Sequence, residues 1–269
     1  MAANPNDDDN KNFDINELIA KHSNDATQFI ASTETIEELV KQGLRFDKQK
    51  PITTEEYIEK LFAERKERAK STISQLPNPP QIALPPINSL YAEIRECILF
   101  GLNGAAITLS AVLVEFAIKH AIIDHTKGVE VYDKKEWDRI EGKELGKVIN
   151  EAEQHGLFKA DEIKRLKNFK DMVRNPYLHY NIKKITTGAI MPEAFAYETS
   201  SKQVVKKYNL KAEDNPFLWQ LAKKHIDEQE VLPIFGFADS VVKRLFGSWI
   251  IYWLIKGKPL LYMYYILTM

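Results

Sequence analysis

The sequence predicts an all-α protein. Apolar residues recur at three- and four-residue spacing through most of the chain, the repeat of a helix face. Helix starts of the Thr-x-x-Glu kind stand at Thr35 with Glu38 and at Thr53 with Glu56, where hydroxyl and carboxylate satisfy orphan backbone amides reciprocally. Asn-Pro dipeptides at 175–176 and 215–216 are further start signals, because proline at the first helical position gives up an amide that is orphaned anyway.

The 269 residues, 44% of them hydrophobic, supply one substantial core and a smaller appended unit. With 37 basic and 38 acidic residues the formal charge is −1, so no global basic field draws the chain to nucleic acid and any polyanion site must be local. The single cysteine, Cys97, rules out an internal disulfide framework and fits a reducing compartment. The start Met1-Ala-Ala-Asn-Pro-Asn-Asp-Asp-Asp9 has neither a basic nor an apolar leader region, so the expected location is cytoplasmic.

In order, residues 1–12 read as a disordered polar tail and 13–76 as an N-terminal helical region. The helix from Glu55 to Arg68 is heavily charged, the pattern of a solvated face. Five prolines within Leu76–Pro86 make 77–86 a semi-rigid linker. Residues 87–269 then form the main helical domain with a C-terminal extension. Leu90, Ile94, Cys97 and Ile98 share one helix face, Gly101 ends that helix, and Asn103 caps a core helix running to about Asp124. That core helix carries Ala105, Ala106, Leu109, Val112, Leu113, Phe116 and Ala117 as its apolar face and Glu115 with Lys119 as an i,i+4 pair. His120, Asp124 and His125 have ligand chemistry but no zinc signature around them, so no metal site is expected.

Residues 126–141 read as a charged loop with a short strand at 129–132. Leu145, Val148, Ile149 and Ala152 mark the next helix, with Gly156 beyond its end. Ile163, Leu166, Phe169 and Val173 mark another, whose far side carries Lys164, Arg165, Lys167 and Lys170. Residues 186–212 look irregular, with a short helix from Ser200 to Tyr208. A helix starts at Pro216, and a separate one follows Pro233 and Gly236, from Ala238 to Leu254. Lys256-Gly-Lys-Pro259 cuts the apolar C-terminal region into pieces of about 11 and 9 residues, short of the roughly 20 that a membrane span needs. Core packing or a dimer interface is the expected use of this region.

The chemistry concentrates in Arg174-Asn-Pro-Tyr-Leu-His179. It combines a guanidinium that never deprotonates with an imidazole that titrates near neutrality. Asn175-Pro176 predicts that one helix ends near Arg174 and another begins near Pro176, with Asn175 as its cap. Without such a break, five helical residues would turn Arg174 and His179 about 140° apart. From Lys159 to Lys184 eight basic residues (159, 164, 165, 167, 170, 174, 183 and 184) stand against three acidic ones (161, 162 and 171), a local +5 in a neutral protein. Such a patch is the footprint of a held phosphate backbone. Lys167, Lys170, Lys183 and Lys184 are the candidate RNA-binding cations, and Tyr177 and Tyr180 the candidate base-stacking rings.

Residues 87–184 resemble the HEPN domain family of small helical bundles. The helix pair from Tyr91 through Gly101-Leu-Asn-Gly104 to Glu115, followed by Arg174-Asn-Pro-Tyr-Leu-His179, is similar to the family's helix pair and its Arg-x4-6-His motif. The resemblance implies a HEPN-like helical bundle, here with an additional N-terminal helical segment. It also implies a metal-independent endoribonuclease without cofactor, a homodimer that joins two motifs in one cleft, and a toxin or antiviral-defence setting with an antitoxin or regulatory protein as partner. On that reading His179 is the general base or acid, Arg174 stabilises phosphoryl charge, and Asn175 bonds the scissile phosphate. One toxin branch has a tyrosine two residues after the histidine; here Tyr180 follows directly and Asn181 holds the second place, which argues against silencing by tyrosine modification. The alternative is a non-catalytic HEPN-like module that binds RNA, nucleotide or protein.

Overall fold

Because few positions between Asn103 and Lys127 are charged, the helix they form is apolar on more than one side and is used as a hub. The computed structural model describes residues 11–12, 30–31, 37, 41, 52–80, 82, 84–128, 133–198 and 203–247. In chain order its elements are β1 (Lys11–Asn12), β2 (Ile30–Ala31), β3 (Ile52–Thr53), α1 (Thr54–Thr72), α2 (Pro85–Leu99), α3 (Asn103–Lys127), α4 (Lys134–Glu141), α5 (Leu145–Gln154) and α6 (Ala160–Phe169). A π-helical turn (Lys170–Arg174), α7 (Asn175–Leu178), α8 (Ile182–Ile185), β4 (Ala189–Glu198), β5 (Gln203–Lys211) and α9 (Pro216–Phe246) complete it. The fold is all-α in character, with one hairpin as its main strand structure. The chain divides into two compact units, residues 1–71 with 182–226, and residues 72–181 with 227–269. This division departs from the expected segments in grouping residues 182–226 with the N-terminal ones.

In the second unit α3 is packed by its neighbours. Ile107, Leu113, Ile118 and Ile122 are fully buried, each worth about 1.5–3 kcal/mol of transfer free energy. By length and composition α3 would also pass for a membrane span, but 61% of its most apolar window is buried by the protein, as in a core helix. Ile87, Tyr91, Ile94 and Ile98 of α2, Val148 and Ile149 of α5, and Ile163, Leu166 and Phe169 of α6 complete the core with Phe235, Ala238, Val242 and Phe246 of α9. The buried Tyr91 hydroxyl donates to Asp239 Oδ1 at 2.8 Å, and its ring lies 4.9 Å from that of Phe235. Burial, with the Asp239 carboxylate beside it, drives the Tyr91 phenol well above its ordinary pKa.

Gly101 and Gly156 take positive φ, 74° and 67°, just past helix ends as expected. Asn103 does not cap α3: Leu102 holds that position without a side-chain bond, and Asn103 is the first helical residue, with its side chain buried. The proline-rich segment packs onto its own unit. Ile82 is 2% exposed, its carbonyl accepts from Asn88 Nδ2 at 2.7 Å, and the Pro77 carbonyl accepts from Arg95. Pro233 does not separate two helices, for α9 runs through it. Pro233 and Gln229, whose carbonyl loses its helical donor, are both exposed, so water can serve that carbonyl.

In the first unit the Thr53–Glu56 capping box forms at the start of α1, with bonds of 2.9 and 3.1 Å. Residues 203–208 belong to a strand and not to the expected helix: β4 and β5 pair antiparallel from Ile190 opposite Lys211 to Glu198 opposite Gln203. Lys11 and Asn12, read from the sequence as tail, pair parallel to β4. Ala189, Ala212, Leu218, Ala222 and Ile226 form this unit's apolar cluster. The Thr35–Glu38 box, the strand at 129–132 and the C-terminal region from 248 onward lie outside the described residues.

Candidate functional site

The helical path does not break between Arg174 and Pro176. Arg174 (φ −55°, ψ −55°) and Asn175 (φ −66°, ψ −45°) are both helical, and the Asn175 amide bonds the Lys170 carbonyl five residues back. Asn175 is therefore not a cap. Proline lacks an amide and its ring crowds the preceding turn; the widened π turn accommodates both. The helix ends instead after Leu178. Tyr180 N–H bonds the Tyr177 carbonyl at 3.3 Å and Asn181 N–H bonds the Pro176 carbonyl at 2.8 Å, the bond pair of a Schellman closure. Tyr180 takes the left-handed position usually given to glycine, at φ 47°. His179 is thus the last half-helical residue.

Arg174 is held on the flank of α3. Its Nε and Nη2 donate to Glu115 Oε2 at 3.1 and 3.0 Å, and its Nη1 donates to Asn175 Oδ1 at 3.1 Å. The other Glu115 oxygen accepts from Lys119 Nζ at 2.8 Å, and Lys119 also donates to the Glu141 carbonyl at 3.0 Å. The Arg174 and Glu115 side chains are 19% and 16% exposed. A guanidinium has five N–H donors, so two stay uncommitted among the described residues, one on each terminal nitrogen. His179 is exposed, and its imidazole makes no hydrogen bond, ion pair or ring contact with another described residue. The structure therefore joins Arg174 with Asn175 and Glu115 and sets His179 at the end of the same unbroken helical segment, so the two motif side chains of one chain stand about 140° apart around it and the convergence expected from a break does not occur.

The remaining candidates divide. Tyr177 is buried and donates to Asp227 Oδ1 at 2.6 Å, which removes it as a base-stacking ring. Burial, then the Asp227 carboxylate, raises its phenol far above the usual range. Tyr180 is exposed. Lys167 pairs with Glu153 at 3.3 Å, and Lys170, half-buried, pairs with Asp171 at 3.0 Å, so both cations are partly neutralised. Lys183 and Lys184 are exposed on α8, in the other unit.

Sequence reasoning missed Glu115 as a site residue, having read it only as Lys119's partner. Val112, one turn before it, is exposed, as is Ala105, while Leu109 and Phe116 are half-buried. The face expected to be core is thus partly an open apolar stripe beside Glu115. His120 is committed to Asp124, with 2.8 Å between Nδ1 and Oδ2, and the Phe116, Trp137 and Phe246 rings surround it. No group of three or more potential metal ligands is gathered among the described residues. Burial pushes the Cys97 thiol up, with Glu93 and Glu96 adding to it, so it is held protonated.

Comparison with protein-family models, with curated proteins and with solved structures returned no match.

Proposed function

We propose that this protein is a metal-independent endoribonuclease of the HEPN kind, acting on RNA in a toxin or antiviral-defence setting. The observation that carries the reading is the Arg174 guanidinium, held by Glu115 and Asn175 with two donors to spare and followed five residues later by an exposed imidazole. In the reaction a ribose 2′-oxygen attacks phosphorus and the bond to the 5′-oxygen breaks. His179 takes the 2′ proton or supplies the proton that the 5′-oxygen needs. The two spare Arg174 donors meet the charge that grows on the phosphoryl oxygens. The products are a 2′,3′-cyclic phosphate and a free 5′-hydroxyl. A second copy docking on the Ala105–Leu109–Val112 stripe would bring another Arg174 and His179 to the cleft.

The pair with Glu115 also supports a second reading. It neutralises Arg174 and ties π turn to α3, as a non-catalytic binding module would require. Incubation of the purified chain with labelled RNA in EDTA, alongside Arg174→Ala and His179→Ala, decides. Cleavage to cyclic-phosphate ends that both substitutions abolish supports the nuclease; retention of RNA without cleavage supports the module, and neither activity defeats both.

A further inference from the structure

We infer that α1 is a self-association surface whose partner is a second, antiparallel copy of α1. This contact is separate from the candidate site and does not rest on the proposed activity. The helix runs for 19 residues and buries none of them. In proteins most helical stability comes from tertiary packing of an apolar face and not from propensity. Yet its exposed surface includes Ile58 at 44% and Phe62 at 62%, four residues apart on one side.

The charges name the occupant. In the first part, Glu55, Glu56, Glu59 and Glu64 against Lys60 leave −3; in the second, Arg65, Lys66, Arg68 and Lys70 against Glu67 leave +3. Along the edge that contains Phe62, the exposed residues read Glu55, Glu59, Phe62, Lys66, Lys70. A two-fold axis passing between Phe62 and Ala63 sets Glu55 level with Lys70 of the second copy and Glu59 level with its Lys66. Each match occurs twice, and the two Phe62 rings meet at the centre beside both Ile58 side chains. A parallel pairing would instead set acid against acid and base against base, which is destabilising. An isologous contact needs a self-complementary patch, and an acidic half followed by an equal basic half on one helix is such a patch only in the antiparallel sense.

The full-length chain tests this by sedimentation equilibrium. Phe62→Glu raises the self-dissociation constant about tenfold or more, and raising salt from about 0.05 M to about 1 M weakens the unsubstituted contact by screening. Val112→Glu is the control: it challenges the α3 stripe invoked for the nuclease dimer and leaves the α1 contact in place. The double variant Glu55→Lys/Glu59→Lys loses self-association, as does Lys66→Glu/Lys70→Glu, and mixing the two restores it, which excludes misfolding as the cause of the loss. Orientation is read in a Cys97→Ser background, where Glu59→Cys and Lys66→Cys chains form a mixed disulfide and Glu59→Cys does not link to itself. Association indifferent to Phe62→Glu, association abolished by Val112→Glu alone, or self-linking of Glu59→Cys without the mixed product overturns the inference.

Discussion

The contact between Glu115 and Arg174 can be weighed by a double-mutant cycle. Glu115→Gln keeps the shape but exchanges one acceptor oxygen for a donor. Since one carboxylate oxygen serves Arg174 and the other serves Lys119, the amide can satisfy only one of them. At the observed 3.0 Å the attraction is about 5.5 kcal/mol at an effective dielectric of about 20, and about 1.4 kcal/mol in water. With both side chains mostly buried, desolvation offsets much of the larger figure, leaving a coupling of about 1.5–3 kcal/mol. Urea unfolding of the parent, Glu115→Gln, Arg174→Gln and the double variant, followed by circular dichroism, measures that coupling directly. A value below about 0.5 kcal/mol, the level at which independent sites add, would refute the claim that Glu115 holds the guanidinium in place.

Tyr177→Phe should lower stability by about 1.5–3 kcal/mol, because it strips a buried carboxylate of a donor; unfolding midpoints check this, and an unchanged midpoint would refute the contribution assigned to the bond with Asp227. Leu113→Ala should cost about 2.7–5 kcal/mol, while Val112→Ala, one residue away on the open stripe, should stay within about 0.5 kcal/mol. Burial alone would raise the Glu151 carboxyl, but hydrogen bonds from Arg139 and Lys143 outweigh it and hold the folded pKa below its ordinary value. Its contribution to stability is therefore present above the unfolded pKa, which lies near 4.5, and is lost as pH falls through the folded one. Unfolding midpoints taken between pH about 6 and 3 should show that loss, and Glu151→Gln should flatten it.

Local spacing made α2, α3, α5 and α6 readable, because an amphipathic stripe and its capping residues lie within one helix. The same holds for Thr53 with Glu56 and for Gly101 and Gly156. What stayed hidden depends on partners distant in sequence. Arg174 meets Glu115 across 59 residues, and nothing near either residue announces the other. The hairpin β4–β5 was read as irregular because Pro192, Lys206 and Lys207 interrupt its alternation, while its pairing reaches across the turn and back to Lys11 and Asn12. Tyr177 stands in the sequence as a candidate stacking ring, and only the return of α9, with Asp227, buries it. Pro176 and Pro233 were read as helix boundaries, but a proline ends a helix only where nothing else absorbs its missing amide and its ring.

The π turn also sets phase. On an uninterrupted α-helix, Arg174 would stand eleven residues after Ile163 and within about 20° of it, aimed at the interior that Ile163 helps to fill. One extra residue in the turn retards everything after it by about 100°, and so swings the guanidinium from the core to the rim where Glu115 waits. The site's charge is thus placed by a count. Removing a single residue between Lys170 and Val173 would leave each side chain of the motif intact and yet send them all to the wrong side of the helix.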